Sequence, residues 1–136
     1  MTRLDRIAVR QGGAVSLMFA VPCALLSRWF ADSGDSSGVA ALLWLLALGG
    51  FVVGAGVASW LQRTGLPLVH GMVAAGGAYL AAQVLFIVIK LARGGDVNWL
   101  SALFTFTFVL VAGLIGGALG SMLQRRGITP RSGTGR

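Results

Sequence analysis

The sequence predicts an all-α polytopic membrane protein with four transmembrane helices. Four apolar stretches (12–29, 39–60, 68–91 and 99–123) occupy most of the 136 residues. A helix rises about 1.5 Å per residue and about 20 residues cross a bilayer core, so each stretch is long enough, or nearly so, to span it. Hydrophobic residues make up 56% of the chain and charged residues only 11%. This leaves too little polar sequence to cover four such helices in a soluble bundle.

The first stretch has to be distinguished from a cleaved signal peptide, because three arginines precede it. Arg28 and Trp29 stand where a cleavage site requires small residues, so we expect a retained spanning helix. Pro22 lies in mid-helix and leaves the carbonyl of Met18 without its helical partner. We therefore expect a kink there, with Ser16 or a neighbouring helix satisfying that carbonyl.

The second and fourth stretches end alike, which suggests an internal duplication. Residues 59–65 match residues 121–127 at five of seven positions, and the same shift carries Gly54 onto Gly116. A shift of two helices keeps the orientation, so the chain is predicted to contain two parallel helical-hairpin repeats. Chance and shared interfacial composition are the alternative explanation. The glycine that closes each segment suits a left-handed helix C-cap.

Polar side chains within the predicted spans are candidates for function, because an unpaired polar group is costly inside a bilayer. Tyr79 and Gln83 lie one turn apart in the third stretch, and Lys90 follows on the same face. Thr105 lies in the fourth stretch. These four residues form a candidate polar seam. The seam either lines a path for water or a solute, or joins two helices by hydrogen bonds while Lys90 reaches the headgroups.

Small residues recur at four-residue spacing in each stretch, which predicts close helix–helix contact within lipid. Such faces predict a compact bundle, and a homo-oligomer if any helix uses a second face. The candidate packing residues are Gly12, Ser16, Ala20, Gly50, Gly54, Gly113 and Gly117.

The basic residues predict the orientation of the chain. Four spans place eight of the 11 Lys and Arg residues on one side, together with both termini. Because cytoplasmic loops are enriched in cations, both termini are expected to be cytoplasmic. The chain is then one membrane domain, with a cytoplasmic arm (1–11), a helical bundle (12–123) and a flexible basic cytoplasmic tail (124–136). The eight residues are Arg3, Arg6, Arg10, Arg63, Arg125, Arg126, Arg131 and Arg136.

The residue inventory argues against an enzyme, and we expect no cofactor and no metal. All four acids lie outside the predicted spans, and no catalytic triad can be assembled. His70 is the one histidine and has no second ligand near it in sequence; an interfacial histidine without a special role is expected. The net charge of +7 is explained by membrane orientation, so nucleic acid is not an expected partner.

We therefore expect a non-enzymatic structural or accessory protein of the lipid bilayer, which packs with itself or with other membrane subunits. The alternative is a small channel or facilitator for a solute or ion along the polar seam. The segment Leu-Gln-Arg-Thr-Gly at 61–65, followed by His70 and Gly71 at the start of the third stretch, resembles a family of small four-helix membrane proteins of unknown function from Gram-positive bacteria. The resemblance implies an inner-membrane helical protein in a bacterial plasma membrane.

Overall fold

The computed structural model describes residues 4–34 and 37–129. All four helices are long and apolar enough to cross a membrane, and no strand occurs in the described ranges. The predicted all-α polytopic fold is confirmed. Arg3 and the last seven residues of the predicted tail lie outside the described part of the chain. The helices are α1 (Arg6–Asp32), α2 (Ser37–Leu61), α3 (Pro67–Ala92) and α4 (Trp99–Arg125).

Three of the helices begin at recognisable sequence signals. The Asp5 carboxylate accepts hydrogen bonds from the backbone N–H groups of Ile7 (3.1 Å) and Ala8 (3.2 Å). This N-cap starts α1 well before the apolar stretch, so the second half of the predicted arm is helical. Asn98 caps α4 through the same kind of bond, and Pro67 occupies the first turn of α3, where its missing N–H costs nothing.

The ends of α3 and α4 are closed by glycines with positive φ, Gly94 and Gly127. Across Gly127 the N–H of Ile128 donates to the carbonyl of Leu123 at 3.1 Å, which is a Schellman cap. The left-handed cap predicted for the second repeated segment is therefore confirmed. Its counterpart Gly65 also has positive φ, but it lies several residues beyond the end of α2 and so belongs to the link.

In cross-section the helices follow the order α1–α2–α4–α3 around a rhombus. Helices α2 and α3 also touch across its short diagonal, whereas α1 and α4 do not meet in the described residues. We call the end that carries the α1–α2 and α3–α4 connections the loop end. The opposite end, with the start of α1 and the last residues of α4, is the terminal end. Helices α2 and α3 therefore each touch all three other helices and form the centre of the fold.

The two predicted repeats differ in what their shared glycines touch. A Cβ atom on Gly54 would overlap Gly12 and Ser16 of α1, whereas one on Gly116 would overlap Val52 of α2. Gly54 therefore joins the two helices of its own hairpin, and Gly116 joins one hairpin to the other.

The repeated segments instead meet each other at the terminal end. The Gln124 amide N–H donates to the carbonyls of Trp60 (2.8 Å) and Gln62 (3.0 Å), and the Gln62 amide N–H donates to Gln124 Oε1 at 3.3 Å. Nearby, the Ser59 hydroxyl donates to the Gly117 carbonyl at 2.7 Å. These bonds satisfy carbonyls near the end of α2 and within α4, and they hold the two parallel helices in register.

Helix α1 runs through Pro22 without interruption. The Ser16 hydroxyl is fully buried between α1 and α2 and is the only buried side-chain polar atom in the described ranges without a hydrogen-bond partner. The expectation that Ser16 satisfies the Met18 carbonyl is therefore wrong. Its hydroxyl is pressed against the backbone at Gly54 instead.

Candidate functional site: a polar cavity at the loop end

A cavity of about 340 Å³ lies between the four helices in the loop-end half of the bundle. Phe51, Tyr79 and Val109 lie at its inner limit and are largely withdrawn from solvent. Asn98, at the start of α4, lies at its outer limit. From Asn98 to Val109 the chain advances eleven residues along α4, which gives the cavity a depth of about 16 Å at about 1.5 Å per residue. The cavity therefore reaches about halfway through the bundle.

All four residues of the predicted polar seam line this cavity. The Tyr79 hydroxyl donates a 2.8 Å hydrogen bond to the Ala102 carbonyl of α4. Gln83 and Thr105 are half-buried, and Lys90 is exposed at the outer end. The seam thus combines both predicted arrangements, because Tyr79 joins α3 to α4 while the other side chains face a space large enough for a small ligand.

Aromatic rings hold Tyr79 in place at the inner limit of the cavity. Its ring centroid lies 6.3 Å from that of Phe51 on α2 and 5.7 Å from that of Phe106 on α4. Both separations are typical of favourable aromatic pairs. Since the hydroxyl is also bonded, Tyr79 is fixed at both of its ends, and it acts as a rigid wall of the cavity.

The sequence analysis missed the contribution of α1 to this site. Arg28 lines the cavity, and its guanidinium carbon lies 5.0 Å from the centroid of the Phe86 ring on α3. One residue before it, the Ser27 hydroxyl donates to the Ala40 carbonyl of α2 at 2.7 Å. The sequence contained a signal for this position, because Arg28 follows Ala20 and Ala24 at the same spacing of four residues.

Beneath the cavity the bundle is packed through small residues. Ala55, Ala75, Ala78 and Ala112 belong to one buried cluster with the residues at the inner limit. Closer to the terminal end, a Cβ atom on Gly71 would lie 2.7 Å from the Gly113 carbonyl oxygen. Backbones at such separations leave no room for a solute, so the cavity is closed toward the terminal end in this conformation.

The predicted packing residues lie at two helix interfaces. Gly12, Ser16 and Gly54 meet between α1 and α2, where a Cβ atom on Gly12 would stand 2.5 Å from the Gly54 carbonyl oxygen. Nearer the loop end, Gly50 packs against the backbone of Ala20, at 3.1 Å from its nitrogen by the same measure.

The other two predicted glycines lie between α3 and α4. A Cβ atom on Gly113 would be 3.0 Å from the Cα atom of Met72, and one on Gly117 would be 3.1 Å from the Cα atom of Leu68. All seven predicted packing residues therefore lie inside one bundle, between its own helices.

His70 is not an interfacial residue without a role, because its side chain is completely buried. Its Nε2 atom accepts a hydrogen bond from the backbone N–H of Asp5 (2.8 Å), and its Nδ1 atom lies 2.7 Å from the Leu66 carbonyl oxygen. An imidazole that accepts at Nε2 and donates at Nδ1 is neutral. His70 thus connects the start of α1 to the start of α3. Sequence reasoning missed this contact because the two residues are 65 positions apart.

No group of three or more histidine, cysteine or acidic residues able to hold a metal is found in residues 4–34 and 37–129. Comparison with known proteins finds no matching family model, no similar curated protein and no similar solved structure. The fold and the cavity therefore have to be interpreted from their own physical chemistry.

Proposed function

We propose that this chain is a non-enzymatic accessory or structural component of a bacterial plasma membrane, which associates with itself or with other membrane subunits. The observation that carries the proposal is the closed terminal-end half of the bundle, where glycine and alanine contacts bring the helix backbones together. An accessory component has to stay folded in lipid and to bind a partner through the outer faces of its helices. A tightly packed interior suits that role. A pore needs a continuous path, and the cavity ends at Phe51, Tyr79 and Val109.

The outer helix surfaces that are available to a partner include two helical glycines. A Cβ atom added at Gly49 of α2 or at Gly77 of α3 would meet no other atom within 4 Å. Open glycines on lipid-facing surfaces permit close approach of another helix. Gly113 and Gly117 are unsuitable as probes of such an interface, because substitution there would disrupt the contact between α3 and α4.

Crosslinking and co-purification in a mild detergent test this proposal. We expect a fixed partner, or a second copy, to be captured with the wild-type chain and to be released by Gly49→Leu or Gly77→Leu. The isolated variants should be at least as stable to thermal unfolding as the wild type, since both sites are open and leucine favours a helix more than glycine does. A chain that is captured alone, at all detergent concentrations that preserve the fold, would contradict the proposal.

A second candidate, a facilitator for a small solute or ion, is favoured by one observation. Tyr79, Gln83, Lys90 and Thr105 all line the same cavity. In this reading the cavity is one half of a path, and the packed terminal-end half must open. Flux through reconstituted vesicles that is abolished by Gln83→Leu and retained by Gln11→Leu, the same change at an exposed position of α1 outside the cavity, would establish it.

We further propose that the terminal end faces the cytoplasm. Support comes from the basic residues there, of which five belong to the described residues: Arg6, Arg10, Arg63, Arg125 and Arg126. Reporter fusions to the two chain ends should both report the cytoplasmic side. Opposite results for the two ends would contradict an even number of spans.

A further inference from the structure

Two cations face the loop-end cavity without a carboxylate opposite them. Arg28 of α1 and Lys90 of α3 both line it, and no aspartate or glutamate in the described ranges does so. Charged side chains in spanning segments are usually paired with each other or with a ligand. Two positive groups on one concave surface attract an anion, and the low dielectric of the surrounding helices strengthens that attraction.

Both cationic side chains are held in position by their neighbours. The Arg28 guanidinium carbon lies over the Phe86 ring, 5.0 Å from its centroid, a cation–π arrangement that uses none of the N–H donors of the arginine. A Cβ atom on Gly95 would lie 3.0 Å from Lys90 Cγ, so the α3–α4 connection packs closely on the lysine stem. Binding therefore costs less side-chain entropy than at two free surface residues.

Neutral donors and a helix N-terminus complete the polar side of the cavity. Asn98 and Ser101 line it at the start of α4, and no acidic residue occurs in the first turn of that helix. The N-terminus of a helix carries partial positive charge, which favours a nearby anion. A phosphate oxygen is a strong acceptor for such a set of donors.

The remainder of the lining is apolar and extends toward the middle of the bundle. Trp44 and Leu48 of α2 line this part together with Ile87 of α3. A free inorganic anion would leave these apolar side chains uncovered. Spaces of a few hundred Å³ hold small ligands or part of a larger one.

We propose that this cavity binds the phosphate headgroup of an anionic membrane lipid, with the phosphate at Arg28 and Lys90. The glycerol and first acyl carbons then lie against Trp44, Leu48 and Ile87. This inference is independent of the proposed function, because either an accessory protein or a facilitator can carry a bound lipid.

Native mass spectrometry of the full chain in detergent micelles tests the inference, with phosphatidylglycerol and phosphatidylcholine of the same acyl composition as probes. We expect phosphatidylglycerol to bind about tenfold more tightly, because both lipids carry the phosphodiester but only phosphatidylcholine adds a quaternary ammonium, which Arg28 and Lys90 repel. Brominated phosphatidylglycerol should also quench Trp44, measured as the difference between the wild type and Trp44→Phe. Equal binding of the two lipids would overturn the proposal.

Matched double variants locate the site. Arg28→Gln with Lys90→Gln should abolish the preference for the anionic lipid. Arg63→Gln with Arg126→Gln removes the same charge from exposed residues at the terminal end, outside the cavity, and should leave the preference within about twofold, since charges beyond a Debye length are screened. An equal loss in both double variants would refute a cavity site. Displacement of the lipid by millimolar inorganic phosphate would refute the lipid assignment and identify a free anion as the ligand. Circular dichroism verifies that each variant folds.

Discussion

Gly54→Ala provides a direct test of how α1 and α2 are held together. The added methyl group would overlap the Ser16 hydroxyl and the Gly12 carbonyl oxygen, and it would stand 2.7 Å from the Ser16 backbone nitrogen. Ordinary contacts to carbon lie at about 3.5–4.0 Å, so the methyl group is about 0.8 Å or more too close. Two of these three atoms belong to the backbone and cannot rotate away. The helices must therefore move apart.

The magnitude follows from two opposing effects. Overpacking of a filled interface costs about 1–3 kcal/mol, and a contact with backbone on several sides belongs at the upper end of this range. Replacing a helical glycine by alanine gains up to about 1 kcal/mol of helix propensity. We therefore expect Gly54→Ala to lower the free energy of unfolding by about 2 kcal/mol, a net value well above experimental scatter.

Gly49→Ala is the matched control. It makes the same chemical change in the same helix, but its methyl group meets no atom within 4 Å, so only the propensity gain remains. Reversible unfolding in mixed micelles with increasing dodecyl sulfate, followed by circular dichroism, measures both variants. Equal stability of Gly54→Ala and Gly49→Ala would refute the proposed close packing of α1 on α2. Adding Ser16→Gly to Gly54→Ala should restore part of the loss, because it removes the overlapping hydroxyl.

Three further substitutions test other contacts by the same unfolding assay. His70→Ala should cost about 2–3 kcal/mol, because it leaves the backbone N–H of Asp5 unpaired and creates a cavity; a loss below about 0.5 kcal/mol would show that the buried imidazole is dispensable. Gln124→Leu should cost about 1–2 kcal/mol, since it removes three hydrogen bonds to Trp60 and Gln62 at the end of α2, and wild-type stability would contradict this. Tyr79→Phe should cost only about 0.6 kcal/mol, the average for side-chain hydrogen bonds between membrane helices, and a loss above about 2 kcal/mol would indicate a larger role for the bond to Ala102.

Much of the fold could be predicted because its causes are local or compositional. The length and hydropathy of the four stretches determine how many helices cross a membrane. The cap at Gly127 depends only on residues within one turn of it, and the spacing of Gly12, Ser16 and Ala20 follows directly from helix periodicity. These features can be predicted from the sequence, because each arises within a single helix.

The cavity and the residues that line it could be predicted only in part. Tyr79, Gln83 and Lys90 stood out because polar side chains in an apolar stretch are conspicuous. The spacing of Arg28 indicated only which face of α1 it shares, and not that this face would meet the other three residues. Local pattern describes which face of a helix is polar. It does not describe which other helix that face meets.

The sequence by itself determined that this is a membrane protein. It also determined the number of its helices and the residues at which most of them begin or end. The tertiary structure alone decided the partners of these helices. Gly54 and Gly116 occupy matching positions in the chain, yet one packs on α1 and the other on α2. His70 likewise accepts a hydrogen bond from the backbone N–H of Asp5, which is 65 positions away in the chain. The physical reason is that α2, α3 and α4 are apolar around most of their circumference, so the order in which the helices pack is selected by close contacts that no single helix contains.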